Sequence, residues 1–164
     1  QAPAGHMERT IETARQMGAT VESLEEGIRV SMRGRPHPIR LETGPYPEFP
    51  TDMQSVMMAA ASVADGTSRI QENVFENRFC AAKELQKLGA HIIIENKLAV
   101  VDGVNALKGT RMAAEDLRGG AALAVAALAA DGTSFLDGYE HISRGYEDIR
   151  SDLAGAGARI SLIG

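Results

Sequence analysis

The residues best placed for chemistry are acids and arginines that stand where apolar helices are expected to begin. Asp52 lies between a loop with three prolines, 44–50, and a stretch that is almost entirely apolar or small, 53–64. A helix that is apolar on all sides is a buried helix, and its first turn offers free N–H groups and partial positive charge to an anion. Asp52 is therefore either a helix cap or a catalytic carboxylate, and spacing alone favours the cap.

A second set of residues repeats this pattern later in the chain. Asp116 and Arg118 begin another apolar stretch, 117–130, and Arg144 lies on a loop further along. Together with Asp52 they would place two acids and two arginines around helix N-termini, which suits a phosphorylated or carboxylated substrate. The alternative is a structural ion-pair set in which Asp116 binds a neighbouring arginine. The residue types alone leave both interpretations open.

An internal repeat predicts how these residues come together. The pentapeptide ADGTS occurs twice, and a Gly-Ala pair ends a predicted helix three times, at a spacing of roughly 66 to 71 residues. These segments are 64–68 and 130–134 for the pentapeptide, and 17–19, 88–90 and 156–158 for the Gly-Ala pair. Units stacked about an axis bring equivalent loops to one end, so the repeat predicts that the acids and arginines share a site.

The repeat also predicts the domain organisation. The unit is expected to run β-α-β-α-β-β, with one buried and one amphipathic helix, in a single α/β (α+β) domain over 1–164. We predict one partial unit over 1–42 and two further units over 43–108 and 109–164. Because the chain then begins part-way through a unit, the sequence is interpreted as a fragment.

The remaining elements follow from periodicity and turn residues. Apolar spacing predicts a helix over 7–17 and another from Asn77 or Arg78 to Leu88. Strands are predicted at 20–22, 27–32, 38–42, 67–71, 91–95, 98–101, 109–113, 133–136 and 159–163.

Composition excludes several classes of function. The net charge of −5 and the pI near 5.4 argue against general binding to nucleic acid or to acidic membranes. The longest apolar run, 121–130, is half of what a membrane span needs. A single cysteine, Cys80, excludes an internal disulfide and suggests a reducing compartment. Next to Arg78 it is expected to be a buried inert thiol rather than a nucleophile.

No cofactor or metal is expected from the motifs. The four histidines and the one cysteine have no zinc-ligand spacing. The sequence also holds neither a phosphate-binding P-loop nor a dinucleotide-binding glycine motif.

Four motifs give the sequence a family resemblance. The order and spacing of these motifs make the sequence resemble the carboxyl-terminal part of the UDP-N-acetylglucosamine enolpyruvyl transferases. These enzymes carry out the first committed step of bacterial peptidoglycan synthesis. The motifs are FPTDMQ at 49–54, VFENRF at 74–79, DLRGGAAL at 116–123 and HISRGYE at 141–147. The related enolpyruvyl-shikimate-phosphate synthases share the fold, but the second and third motifs resemble the nucleotide-sugar enzymes instead.

The resemblance implies a fold and a set of roles. The fold would be an inverse α/β prism of three repeat units about a pseudo-threefold axis, incomplete in this chain. Asp52 would act as acid and base on the sugar 3-hydroxyl, which favours the catalytic interpretation over the cap. Thr51, Val74 and Phe75 would line the UDP-sugar site together with Asp52, and Asp116, Arg118 and Arg144 would face phosphoenolpyruvate.

The resemblance also implies that part of the site lies elsewhere. In the family, the site is a cleft between two domains, and the other domain supplies a loop cysteine, a lysine and further arginines. Cys80 does not stand at that cysteine's place. We therefore expect this chain to be part of a two-domain enzyme of the bacterial cytoplasm, with UDP-N-acetylglucosamine and phosphoenolpyruvate as its partners, and to be inactive alone.

Two alternatives of other classes stay open. The chain could be a non-catalytic nucleotide-sugar-binding or regulatory module of the same fold. It could also be a structural or interaction domain, in which case an exposed apolar face should make it self-associate.

Overall fold

The helices follow the apolar pattern of the sequence. The computed structural model describes residues 4–25 and 27–163, so the predicted unit boundaries at residues 1 and 164 lie outside the described residues. Short 3₁₀ turns at Ala4–Met7 and Thr51–Met53 lead into the first two helices. The helices are α1 (Glu8–Gln16), α2 (Gln54–Ala61), α3 (Ala81–Lys87), α4 (Leu117–Leu128), α5 (Tyr139–Ser143) and α6 (Ile149–Gly155).

In the described residues, ten short strands form one four-stranded sheet and three pairs. They are β1 (Thr20–Leu24), β2 (Gly27–Ser31), β3 (Arg40–Glu42), β4 (Thr67–Gln71), β5 (His91–Glu95), β6 (Leu98–Asp102), β7 (Leu107–Lys108), β8 (Arg111–Ala113), β9 (Ala130–Asp131) and β10 (Phe135–Asp137). The larger sheet has the order β3-β4-β6-β5, with β3 parallel to β4 and the other neighbours antiparallel. The pairs are antiparallel β1-β2, parallel β8-β10 and parallel β7-β9.

The repeat is visible in the backbone where α1, α3 and α6 end. Gly18, Gly89 and Gly157 have left-handed φ values of 97°, 93° and 99°. In each case the glycine N–H donates to the carbonyl three residues back, and the next alanine N–H donates to the carbonyl five residues back. This is the helix ending that glycine allows because it has no Cβ to clash.

The two apolar helices form the centre of the core. α2 packs against α4, and both bury most of their residues. Much of their contact surface is alanine, which lets the helices approach closely and explains how a chain without tryptophan fills its core. Large, fully buried side chains in these helices and in the elements around them include Met58, Ile70, Leu85, Leu88, Leu107, Met112 and Leu123.

The predicted start of one helix and one predicted strand are wrong. Helix α3 begins at Ala81 rather than at Asn77 or Arg78, because Asn77 adopts a left-handed φ of 55° that a helix cannot contain. The predicted strand at 159–163 is exposed and unpaired in the described chain. The equivalent strands β1 and β5 each pair with the strand that follows them, and the described residues hold no such partner for 159–163.

Candidate active site

Asp52 does not cap a helix. It lies inside the 3₁₀ turn that precedes α2, where its side chain makes no capping hydrogen bond. Its carboxylate is 58% exposed and forms ion pairs with two arginines. Nη2 of Arg78 donates to Oδ1 at 3.2 Å, and Nε of Arg118 donates to the same oxygen. The cap interpretation is therefore wrong, because Asp52 lies within the turn and its carboxylate accepts from the two arginines instead of from backbone N–H groups.

Arg118 is held in place by Asp116. The Asp116 carboxylate accepts hydrogen bonds from the backbone N–H groups of Arg118 and Gly119, each at 2.9 Å, and so caps α4. Among the described residues, no basic side chain forms an ion pair with that carboxylate, so the alternative in which Asp116 pairs with a neighbouring arginine is not the arrangement observed. The ion pair that does form, Arg118 with Asp52, joins the beginnings of the two buried helices.

Arg78 belongs to this site, although the sequence assigned it no role. It lies in the turn before α3, where its side chain is 19% exposed and its guanidinium lies 4.7 Å from the centre of the Phe75 ring. Its Nε donates to Oγ1 of Thr51 at 3.3 Å. Two signals could have identified it: its place in the VFENRF motif, and its position 66 residues before Arg144, the same spacing as that of the two ADGTS segments.

Glu72 is the second residue that the sequence missed. The residue is only 1% exposed, and it lies directly after β4. Oε1 accepts from the backbone N–H groups of Val74 and Phe75 at 2.9 and 3.0 Å, and Oε2 accepts from the Thr51 hydroxyl at 2.9 Å. A charged residue placed directly after a half-buried strand is the only sequence signal for it.

Both carboxylates are stabilised in their charged form. The hydrogen bond from Arg118 lowers the pKa of Asp52, and the charges of Arg118 and Arg78 lower it further, against a smaller opposing effect of burial. Asp52 in turn raises the pKa of Arg118. Burial raises the pKa of Glu72, but its hydrogen bonds to Phe75, Thr43, Val74 and Thr51 outweigh burial, so that the net shift is downward.

The remaining predicted site residues lie around this centre. Val74 and Phe75 are exposed on the loop after β4. A cavity of about 620 Å³ opens beside that loop, between α3 and the β5-β6 turn, and its lining includes Phe75 and Arg78 but not Asp52 or Arg118.

Arg144 is not brought into the ion-pair group. It follows α5, which packs against α4 through Ile142, and among the described residues it forms no ion pair. Gly120 explains this close packing, since a Cβ there would come within 2.5 Å of the Ile142 side chain.

Cys80 is exposed, which corrects the expectation of a buried thiol. It lies in the turn before α3, and its Sγ contacts the Asn77 carbonyl at 3.1 Å. Within the described ranges, no three His, Cys, Asp or Glu side chains form a metal-binding group. None of the helices in the described chain has the length and apolar character to cross a membrane.

The fold of the described residues belongs to the class of enolpyruvyl transferase folds. The solved enolpyruvyl transferase NikO from Streptomyces tendae is similar with a TM-score of 0.82 and 29% identity, over 93% of this chain and 36% of that chain. EPSP synthase from Acinetobacter baumannii shares the fold with a TM-score of 0.57 at 19% identity, over 80% of this chain. The predicted inverse α/β prism is thereby confirmed as a partial domain.

The family match is more specific. The profile of the EPSP synthase family, 3-phosphoshikimate 1-carboxyvinyltransferase, matches residues 2–153, and the chain belongs to this family. UDP-N-acetylglucosamine 1-carboxyvinyltransferase of Anaeromyxobacter sp. (strain K) is 49% identical over 160 residues, which are 98% of this chain and 38% of that protein. The protein of the same name from Desulfofundulus thermocisternus is 49% identical over 94% of this chain and 64% of its own length. The resemblance found in the motifs is confirmed, and the chain spans only part of these relatives.

Proposed function

We propose that this chain is part of a bacterial cytoplasmic enzyme that transfers the enolpyruvyl group of phosphoenolpyruvate to the 3-hydroxyl of UDP-N-acetylglucosamine. The observation that carries the proposal is the exposed Asp52 carboxylate held by Arg78 and Arg118 at the start of a buried helix. The names of the relatives support the same reaction. This reaction is the first committed step of peptidoglycan synthesis.

Asp52 would act as the acid and base at the reaction centre. While Arg118 is paired with it, its pKa is lowered and it is a weak base. The carboxylate and phosphate of phosphoenolpyruvate would compete for Arg118, and loss of this partner would raise the affinity of Asp52 for a proton. Asp52 could then accept the proton of the sugar hydroxyl as its oxygen adds to the enol carbon.

The arginines would neutralise the second substrate. Addition of the sugar oxygen to C2 of phosphoenolpyruvate, with a proton added to C3, gives a phosphorylated tetrahedral intermediate. Loss of phosphate from C2 together with a proton from C3 then restores the double bond in the product. Arg118 and Arg144 would bind the carboxylate and phosphate during both steps. Asp116 would contribute by fixing the start of α4 and with it the backbone of Arg118.

The sugar side would be formed by Thr51, Val74 and Phe75. These residues lie on the two segments that meet at Glu72, next to Asp52. Phe75 is half exposed and presents its ring beneath Arg78. A site this open suits a second domain that covers it. We therefore propose that such a domain completes the site and that the isolated chain is inactive.

The proposal is tested by restoring the rest of an enzyme. The matching 160-residue segment of the Anaeromyxobacter relative is replaced by this chain, and phosphate release from phosphoenolpyruvate is measured with UDP-N-acetylglucosamine present. We expect turnover by the chimera, a loss of at least about 100-fold in Asp52→Asn, and no turnover by the chain alone.

Each other outcome is informative. A chimera that binds UDP-N-acetylglucosamine but releases no phosphate would favour the non-catalytic module. Turnover by the isolated chain would contradict the need for a second domain. Full activity of Asp52→Asn would remove Asp52 from the mechanism.

A further inference from the structure

Glu72 joins two segments that carry different parts of the candidate site. One is the loop after β4, with Val74 and Phe75, and the other is the turn with Thr51 and Asp52. Each oxygen of the Glu72 carboxylate serves one of the segments. The carboxylate is therefore the shared point that sets the distance between them.

The loop after β4 has side-chain acceptors for three consecutive backbone N–H groups. Asn73 N–H donates to the Thr43 hydroxyl at 2.9 Å, and the next two N–H groups donate to Oε1 of Glu72. A buried N–H group that loses its acceptor is costly. The position of this loop therefore depends on Glu72 directly, because a single oxygen satisfies two of its N–H groups.

The second oxygen reaches the charged centre through Thr51. The Thr51 hydroxyl donates to Oε2 of Glu72 and thereby presents its own oxygen to Nε of Arg78. Arg78 then reaches Asp52 with Nη2. This chain of hydrogen bonds orients Arg78, although Glu72 and Arg78 share no direct hydrogen bond or ion pair in the described structure.

We propose that Glu72 is a positioning residue, which holds the sugar-side loop and the Asp52 turn in one arrangement and orients Arg78 through Thr51. The inference rests on the proposed function, because it assigns this arrangement to UDP-sugar binding. The hydrogen bonds that lower the pKa of Glu72 are consistent with a carboxylate that stays charged while buried.

The decisive variant is Glu72→Gln in the chimera described above. A glutamine amide has one acceptor oxygen, so it can serve either the two loop N–H groups or Thr51, but not both. If its NH₂ group faces Thr51, it competes with Arg78 for the hydroxyl oxygen. The matched control is Glu95→Gln, which makes the same charge change at an exposed residue of β5.

We expect Glu72→Gln to raise the KM for UDP-N-acetylglucosamine by about tenfold or more and to lower kcat. The KM for phosphoenolpyruvate should stay within about twofold, because Arg118 is fixed by Asp116 instead. A merely structural defect would reduce the amount of folded enzyme and lower kcat alone, with both KM values unchanged. If Glu72→Gln is insoluble, Glu72→Asp keeps the charge but withdraws the carboxylate from Thr51, Val74 and Phe75, and it should raise the same KM.

Amide hydrogen exchange on the unmodified chain and on Glu72→Gln gives a readout that needs no substrate. Exchange at Val74 and Phe75 should be about tenfold faster in the variant, while exchange at Ile92 in β5 should not change. If the chimera is functional and Glu72→Gln has the same KM values and kcat as Glu95→Gln, the Glu72 proposal alone is overturned. If the unsubstituted chimera neither binds the sugar nor releases phosphate, the proposed function is overturned instead. In that case, unchanged exchange at Val74 and Phe75 in the Glu72→Gln chain would overturn the positioning role as well.

Discussion

The two buried helices begin with an acid in each case, yet the two acids do different work. Asp116 has an extended backbone, with φ −149° and ψ 166°, and its carboxylate caps α4. Before α2 the extended position is taken by Pro50, with φ −70° and ψ 127°, and Asp52 lies inside the following turn. Placed two residues further along, Asp52 cannot reach the backbone N–H groups as a cap, and its carboxylate is available to Arg78 and Arg118.

This difference shows that the same local pattern can place its acid in two ways. In the predicted unit over 109–164, the acid caps the helix and fixes the backbone of an arginine. In the predicted unit over 43–108, the acid is exposed and forms an ion pair with that arginine. The pattern therefore yields a helix cap in one unit and an exposed, ion-paired carboxylate in the other.

The first turns of α2 and α4 also differ in the size of their side chains. A substitution at Gly120 in α4 tests whether this difference is required, and it has the largest expected effect on stability. A Cβ at Gly120 would lie 2.5 Å from Cγ1 of Ile142, whereas α2 begins with the larger side chains of Gln54 and Ser55. We expect Gly120→Ala to lower the free energy of unfolding by about 1–3 kcal/mol, measured by urea denaturation.

Gly155→Ala is the matched control, since a Cβ at that position of α6 meets nothing within 4 Å. It should leave stability unchanged or raise it by up to about 1 kcal/mol, because alanine has the higher helix propensity. Equal destabilisation by the two substitutions would mean that the glycines at the start of α4 are not required by packing against α5.

A pair of alanine substitutions tests the division of roles directly. Asp116→Ala removes a capping carboxylate and should cost about 1 kcal/mol of unfolding free energy. Asp52→Ala removes two ion pairs of a carboxylate that is itself exposed, and it should cost less than about 0.5 kcal/mol. If urea denaturation shows that Asp52→Ala lowers the free energy of unfolding more than Asp116→Ala does, the proposed difference between the two acids is wrong.

The sequence could predict the elements whose cause is local. The helix ends at Gly18, Gly89 and Gly157 were predicted because glycine in the left-handed region terminates a helix in all three places. The strand at 159–163 was predicted from its residues alone and is wrong, since a strand forms only where a partner satisfies its backbone groups.

The candidate site was predictable in outline but not in its contacts. The repeat predicts that Asp52, Asp116, Arg118 and Arg144 gather at one end of the units. Asp52 and Arg118 form an ion pair, whereas Arg144 forms none among the described residues. Glu72 and Arg78 were missed because their roles arise from burial and from contacts with Thr51 and Phe75, which spacing does not reveal. The roles assigned to the site residues all stay predictions: Asp52 as the catalytic carboxylate, Thr51, Val74 and Phe75 on the sugar side, and Asp116, Arg118 and Arg144 on the phosphoenolpyruvate side.

The smallest expected effect is on the titration of Asp52. Its pKa is lowered in the folded chain, so the ion pair contributes stability above the unfolded-state pKa, and this contribution is lost as the pH falls through the folded-state value. Arg118→Ala should move the pKa of Asp52 back toward the ordinary aspartate value, measured by NMR titration of the side-chain carboxyl carbon. Asp137, whose pKa is lowered by Arg111 at 2.7 Å, is the internal control and should not move. If Asp52 titrates unchanged in Arg118→Ala, then Arg118 does not control the protonation of Asp52, and the proposed competition between phosphoenolpyruvate and Asp52 for this arginine would lose its basis.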